Sequence, residues 1–242
     1  MYMNLLSIVT FQVPTREILV SDFDQTFYSK FFLKNVEKIK EFVQQGNIFI
    51  IATGRNYTQL MSHLSVPVSF YICDDGALIY DFYGNLIYKN ELEKEMAEKI
   101  YHELSESKHT YDTWYDDGID YTVDIGNFAV KIISKPKDYD KCEKLLQKLL
   151  KKYPMVHGYL SENWVNITNK SATKGNAIEY LTKEYVMDEN QIYTIGDNVN
   201  DLSMFEKYHS FALEDGISIA KEKAKYVVKD FCEVFEHMDK ED

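Results

Sequence analysis

The stretch Ile18-Leu19-Val20-Ser21-Asp22-Phe23-Asp24-Gln25-Thr26 (ILVSDFDQT) ends a continuous apolar run on two carboxylates two residues apart. A strand end can carry such charges at the surface with no functional meaning. They gain one only if other parts of the chain converge on the same point. The same sentence structure recurs in the sequence: apolar runs of strand length alternate with helix-length amphipathic segments. EILVSDFD is followed by LKNVEKIKEFVQQG, where Val36, Ile39, Phe42 and Val43 recur at helical spacing and Gly46 stops the helix. NIFIIATG and VSFYICDDG are further strands, and downstream GNAIEYLTKEYV (helix), QIYTIGD (strand), NDLSMFEKY (helix), SFALEDG and AKYVVKD (strands) resume the pattern. Runs buried on both faces and alternating with helices predict an α/β fold with a parallel sheet. In such sheets ligands sit at the carboxyl ends of the strands, where Asp22, Thr53, Asp74 and Asp197 all fall.

The middle of the chain has a different rhythm. ALIYDFYGNLIYKN alternates around Tyr83-Gly84-Asn85, and TWYDDGIDYTVDI alternates around Asp117-Gly118, both hairpin signals. FAVKIISK adds a strand, DYDKCEKLLQKLLKKY an amphipathic helix, and VHGYLSENWVNITN one or two more strands. These segments predict an antiparallel α/β insertion over residues 80–168, with the parallel core assembled from 1–79 and 169–242. Lys144, Lys148, Lys151 and Lys152 are expected on the wet face of the insertion's helix. The opening MYMNLLSIVTFQVPTRE is either an extra strand or a loose extension, and the closing MDKED a frayed acidic end.

Composition narrows the function. The 242 residues can bury a large core as one elaborate domain or two smaller ones, and a net charge of -12 argues against a nucleic-acid surface. A phosphate ester would need a local cation to offset that field. Three widely spaced cysteines, Cys73, Cys142 and Cys232, argue against a disulfide framework or cysteine zinc site and fit a reducing cytosol. No apolar run reaches membrane-spanning length, and the opening residues lack a basic start and a small-residue cleavage site, so a cytoplasmic location is expected. Neither a membrane nor a protein partner is implied.

Four pieces are placed to meet at one sheet edge: Asp22 and Asp24 with Thr26; Thr53 with Gly54 and Arg55; Lys174; and GDNVND, which carries Asp197, Asn200 and Asp201. Singly, each has a bland reading as strand end, turn, solvated lysine or helix cap. Together, several carboxylates in one cleft repel one another unless a cation sits among them, and all-oxygen ligands suit Mg²⁺. A hydroxyl, backbone amides and a lysine ammonium can then hold phosphate oxygens. A carboxylate in line with phosphorus can act as nucleophile, and a second carboxyl two residues on can serve as acid and then base.

At these four pieces the chain resembles the haloacid dehalogenase-like hydrolase superfamily, and within it the Cof-like phosphatases with a large α/β cap between the second and third motifs. D-x-D-x-T matches Asp22, Asp24 and Thr26; a strand-ending Thr followed by Gly-Arg matches Thr53 to Arg55; a helix-opening lysine matches Lys174; and G-D-x-x-N-D matches Gly196 to Asp201. The resemblance implies a Rossmann-like core with an inserted α/β cap, with Asp22 as nucleophile and Asp24 as general acid and base. It implies that Thr53, Gly54 and Lys174 hold the phosphoryl group. Mg²⁺ would be bound by Asp22 and Asp197 through side chains, by Asp24 through its backbone carbonyl, and by Asp201 directly or through water. Asn200 would bond in the same shell and Thr26 would brace the loop.

Three departures stand out. Gln25 occupies a position where most relatives with this cap carry Gly, Asp75 replaces an amide in an N-G-A turn, and ALEDG replaces a Gly-Asn-Ala turn. Asp75 and Glu214 are therefore expected to add negative charge near a phosphate site. Trp114, Tyr115, Asp116 and Asp117 form either an exposed acidic hairpin or a cap contact to sugar hydroxyls and a ring face.

The expected activity is a Mg²⁺-dependent phosphatase acting on small phosphate esters, sugar phosphates foremost, through an aspartyl-phosphate. A sugar phosphomutase and a catalytically weak phosphate-ester-binding regulator are the alternatives. A receiver-type signalling module fits less well, being about half this length and lacking the D-x-D-x-T pair.

Overall fold

The computed structural model describes residues 16–64, 66–161 and 163–238. Residues 1–15 of the opening segment and 239–242 of the acidic end lie outside the described residues.

The first half of the sheet is laid down by β1 (Ile18–Asp22), α1 (Phe32–Gln44), β2 (Ile48–Ala52), α2 (Tyr57–Met61) and β3 (Phe70–Cys73), followed by a hairpin of β4 (Leu78–Asp81) and β5 (Leu86–Lys89). An inserted unit follows: α3 (Lys94–Ser105), β6 (Thr110–Asp116), β7 (Tyr121–Thr122), β8 (Lys131–Pro136), α4 (Tyr139–Lys152), β9 (Val156–Leu160) and β10 (Val165–Asn169). The chain then returns through α5 (Lys174–Glu184), β11 (Ile192–Gly196), α6 (Leu202–Phe205), β12 (His209–Leu213), α7 (Ser218–Lys223), β13 (Tyr226–Val228) and α8 (Glu233–Met238).

Among the described residues the larger sheet has eight strands in the order β13-β12-β11-β1-β2-β3-β4-β5, parallel from β13 to β3. The chain begins at the middle of the sheet, builds outward through β2 and β3, and returns to the other side of β1 through β11. The order therefore reverses between β1 and β11, the crevice where such sheets bind ligands. Leu19, Phe49 and Ile51 face one buried layer, while Ile18, Val20, Ile50 and Ala52 face the other. That two-sided burial is why these strands read as unbroken apolar runs. In α1 the expected Val36, Ile39 and Phe42 are buried, and Gly46 takes φ +95° just beyond the helix.

One boundary needs correction. The hairpin expected to open the insertion at residue 80 pairs antiparallel with β3 and extends the core sheet. The second sheet begins only with β6, in the order β7-β6-β8-β10-β9. Its Tyr115, Ile132, Val165 and Ile167 pack against α3 and α4 through Ile100, Leu104, Leu146 and Leu149. Lys144, Lys148, Lys151 and Lys152 are exposed on α4, as their spacing predicts. Alternate residues of that sheet point the other way, toward the carboxyl end of β1.

The two chain crossings between the sheets are tied to each other. Asn90 Nδ2 donates to Ser171 Oγ at 2.9 Å, and Asn169 Nδ2 donates to the Glu91 carbonyl at 3.1 Å.

Candidate active site

Asp22 ends β1 and Asp197 immediately follows its neighbour β11, so the parallel pairing itself brings two carboxylates together. Thr173 caps α5 by accepting the Asn176 N–H, which sets Lys174 at the first helical position, fully buried. Lys174 Nζ donates to Asp22 Oδ1 and Asp201 Oδ1, each at 2.6 Å. Asp201 Oδ2 accepts the backbone N–H groups of Asp197 and Asn198, each at 2.9 Å, so both of its oxygens are engaged. Thr26 Oγ1 donates to Asp197 Oδ1 at 2.9 Å. A Cβ at Gly196 would lie 2.4 Å from Asp201 Cγ, which accounts for the glycine opening the last motif.

One oxygen from each of Asp22, Asp197 and Asp201 lies within 4.8 Å of the others. Burial raises the Asp22 carboxyl well above its ordinary value, opposed by Lys174 and reinforced by Asp201 and Asp197. Burial and then Asp201 push Asp197 up to about 6. Lys174 is disfavoured as a cation by its burial, but Asp201 and Asp22 outweigh that and raise it. A buried, all-oxygen donor set with more negative than positive charge fits a small hard divalent cation.

Asp24 stands apart from this cluster. Arg55 forks onto its carboxylate, while the Arg55 backbone N–H donates to Thr53 Oγ1 at 3.1 Å. Thr53 is buried at the end of β2, and Gly54 and Arg55 form the loop that faces the cleft. Gln25, between Asp24 and Thr26, adopts φ +62°, the left-handed region expected from a position that favours glycine.

A cavity of about 370 Å³ extends from Asp22 and Asp197 to the second sheet. Its far wall carries Ile133, Trp164, Tyr121, Ser161 and Asn166, with Gln59 from α2 at the side. The cations lining it, among the described residues, are Arg55 and Lys131. Arg55 is bound to Asp24, and Lys131 Nζ lies 2.7 Å from Asp75 Oδ2 and 2.7 Å from the Gly54 carbonyl.

The departures from the family pattern resolve differently from one another. Asp75 is buried, and Lys131 compensates the charge that its substitution for an amide introduces. Burial alone would raise its carboxyl, but Lys131 and then Asn200 hold it below the ordinary value. Glu214 is exposed and does not line the cavity. The hairpin around Asp117 is neither of the two things expected of it. Asp116 is 1% exposed, accepts the Gly118 N–H at 2.8 Å and sits beside Asn56. Tyr115 stacks on Tyr101 inside the inserted unit, and Trp114 packs edge-on to Trp164.

All the motif residues thus fall at one edge of the large sheet. Sequence reasoning missed Lys131 and Tyr159, which line the cavity from the second sheet, and the Arg55 fork. A lone buried lysine in the apolar strand FAVKIISK was the one signal that could have pointed to Lys131.

This sheet order, with carboxylates at its reversal and a lysine braced between them, defines a phosphoryl-transfer type of α/β hydrolase site. The chain belongs to the haloacid dehalogenase-like hydrolase family, whose model matches residues 19–124 and 116–233. A Buchnera aphidicola protein named "Putative phosphatase" is 29% identical over 221 residues, covering 78% of this chain and 82% of its own. The Bacillus subtilis 5-amino-6-(5-phospho-D-ribitylamino)uracil phosphatase YwtE is 26% identical, covering 86% of this chain and 91% of its own. Among solved structures, the HAD subclass IIB sugar phosphatase BT4131 superposes with a TM-score of 0.75 at 18% identity, covering 93% of this chain and 99% of that one.

Proposed function

We propose that the chain is a Mg²⁺-dependent phosphatase of small phosphate monoesters whose leaving group is an uncharged sugar or polyol. The convergence of Asp22, Lys174, Asp197 and Asp201 on one buried point carries this reading. Asp22 and Asp197 would hold the cation with the Asp24 carbonyl, and Asp201, whose oxygens are both engaged, would act through water. Bound there, Mg²⁺ would supply positive charge to the phosphoryl oxygens.

Asp22 attacks phosphorus, and the bond to the ester oxygen breaks as Asp24 donates a proton to the departing alkoxide. Water then attacks the aspartyl-phosphate, Asp24 takes its proton, and Asp22 is released with inorganic phosphate. Thr53, Gly54 and Lys174 hold the phosphoryl oxygens in both steps. Asp24 must exchange part of its contact with Arg55 for the leaving group.

The second sheet with α3 and α4, residues 90–169, serves in this reading as a cap over the cavity. Its aromatic and amide lining suits hydroxyls and a ring face. YwtE, by name a phosphatase of a phosphoribitylamino-uracil, and BT4131, by name a sugar phosphatase, support a polyol or sugar at the phosphate ester. Both cations lining the cavity are already neutralised, which weighs against a second phosphate and so against the mutase alternative.

The test is phosphate release from sugar phosphates, polyol phosphates, nucleotides and an aryl phosphate, with Mg²⁺ and with chelator, beside Asp22→Asn. Mg²⁺-dependent release lost in the variant is expected. Release that survives Asp22→Asn would refute the mechanism, and a preference for bisphosphates would refute the substrate class.

A further inference from the structure

The Asp75 carboxylate collects three donors from three places. Lys131 Nζ approaches Oδ2 at 2.7 Å from β8, and the Tyr159 hydroxyl donates to Oδ1 at 3.0 Å from β9. Asn200 Nδ2, in the G-D-x-x-N-D loop, donates to the same Oδ1 at 2.9 Å. β8 and β9 flank β10, so two separate strands of the cap dock on one core residue.

The surroundings are built for this. Asp75 is 4% exposed and is held at φ +59°, with its own N–H bonded to the Thr53 carbonyl at 3.0 Å. A Cβ on Gly54 would come within 3.1 Å of Asp75 Oδ1 and 3.3 Å of the Tyr159 hydroxyl, so the phosphate-loop glycine makes room for the convergence. An asparagine at position 75 would offer one acceptor oxygen instead of two, and turning that oxygen toward Asn200 and Tyr159 would face its amide toward the Lys131 ammonium. The carboxylate is the side chain that can take all three donors.

We propose that Asp75 is a positioning residue that relays the seating of the cap to the catalytic loop: Lys131 and Tyr159 dock on the carboxylate that anchors Asn200. This deepens the phosphatase reading and rests on it for its functional meaning. With the cap seated, Asp75 is fixed from the cap side and Asn200 is fixed through it, which holds the loop carrying Asp197 and Asp201. With Lys131 and Tyr159 withdrawn, a buried carboxylate is left with Asn200 as its remaining side-chain donor and the loop loses that restraint.

The relay is tested without substrate or metal, by amide hydrogen exchange on the full chain. Wild type, Lys131→Met, Asp75→Asn and the double variant are compared over residues 196–202, with β1 as the internal reference. Lys131→Met is expected to speed exchange of the Asp197 and Asn198 amides roughly threefold or more, and to add nothing in the Asp75→Asn background. No change at these amides, or the same increment in both backgrounds, overturns the proposal. Should Lys131→Met also speed exchange in β1, Tyr159→Phe replaces it, removing one hydroxyl and keeping the ring, with the same two outcomes.

A kinetic readout separates positioning from stability. Lys131 also faces the buried Asp74 and Asp116, so the double variant is expected to recover only part of the melting temperature that Lys131→Met loses while kcat stays about tenfold low. Full recovery of both would make the pair merely structural and overturn the relay. Absence of phosphate release by the wild type would refute the phosphatase reading and leave the exchange result to decide the relay alone.

Discussion

Arg55 grips Asp24 with two parallel bonds, Nε to Oδ2 at 2.8 Å and Nη2 to Oδ1 at 2.5 Å. The fork fixes the carboxylate's rotamer and direction at the mouth of the cleft, and in the proposed mechanism one of its two bonds opens for the leaving group while the other keeps Asp24 aimed.

Arg55→Met should therefore lower kcat by about ten- to hundredfold while leaving the fold intact. The pair is partly solvated, at 25% and 46% side-chain exposure, so it contributes about 1 kcal/mol or less to stability. Steady-state kinetics beside a urea titration checks both halves. A stability loss as large as that of a core deletion, with unchanged kcat, would reverse the assignment.

Lys174→Met should be far more damaging to the fold. It leaves Asp22 and Asp201 buried beside each other without their shared cation, and breaking a buried pair from one side costs about 3–5 kcal/mol. The midpoint of urea unfolding reports it. Adding Asp201→Asn to that variant should restore part of the loss.

Asp197 makes stability depend on pH, and in the proposed reading metal binding depends on pH in the opposite sense. Its carboxyl is raised from 3.8 to about 6, so across that interval the folded chain keeps a proton the unfolded chain has released. The stability this contributes is complete below the unfolded value and lost as pH rises through about 6, a change of about 3 kcal/mol. Mg²⁺ selects the ionised form, so the rise in melting temperature on adding Mg²⁺ should be larger at pH 7 than at pH 5. In chelator, Asp197→Asn should gain on wild type as pH rises from 4 to 6. Parallel pH curves for the two proteins would contradict this.

Gln25→Gly should stabilise the chain by about 1 kcal/mol. At φ +62° a side chain with a Cβ is strained, and glycine is not. The Gln25 N–H already donates to the Tyr28 carbonyl, so the turn itself survives the change. Thermal unfolding measures the gain, and a lower melting temperature would show that the Gln25 side chain makes a contact worth more than the strain.

What could be read from the sequence and what could not divide along a physical line. Asp22, Thr53, Lys174 and Asp197 sit where a strand stops or a helix starts, and such boundaries are written locally in apolar runs, glycines and caps. The pairing of β4 with β3 is close in the chain, Cys73 opposite Leu78, but no alternation in the largely buried β3 marks it. Alternation in ALIYDFYGNLIYKN specifies a hairpin but carries no information about which sheet it joins, and so the expected boundary at residue 80 fell too early. Asp116 shows the same limit. An Asp-Asp-Gly hairpin reads as solvated, yet the Gly118 amide and the packing around Asn56 take Asp116 inside. Lys131 was invisible as a site residue because its partners, Asp75 and the Gly54 carbonyl, lie more than fifty residues away in the chain.

The paired crossings at Asn90 and Ser171, and at Glu91 and Asn169, have a mechanical consequence. Stitched side by side, the outgoing and returning chains act as one ribbon. Any motion of the second sheet relative to the first would pivot on that ribbon, and the bond from Lys131 to the Gly54 carbonyl would span the boundary. Four residues separate the returning strand from Lys174, so such a motion would reach the chain directly beside the counter-ion of Asp22.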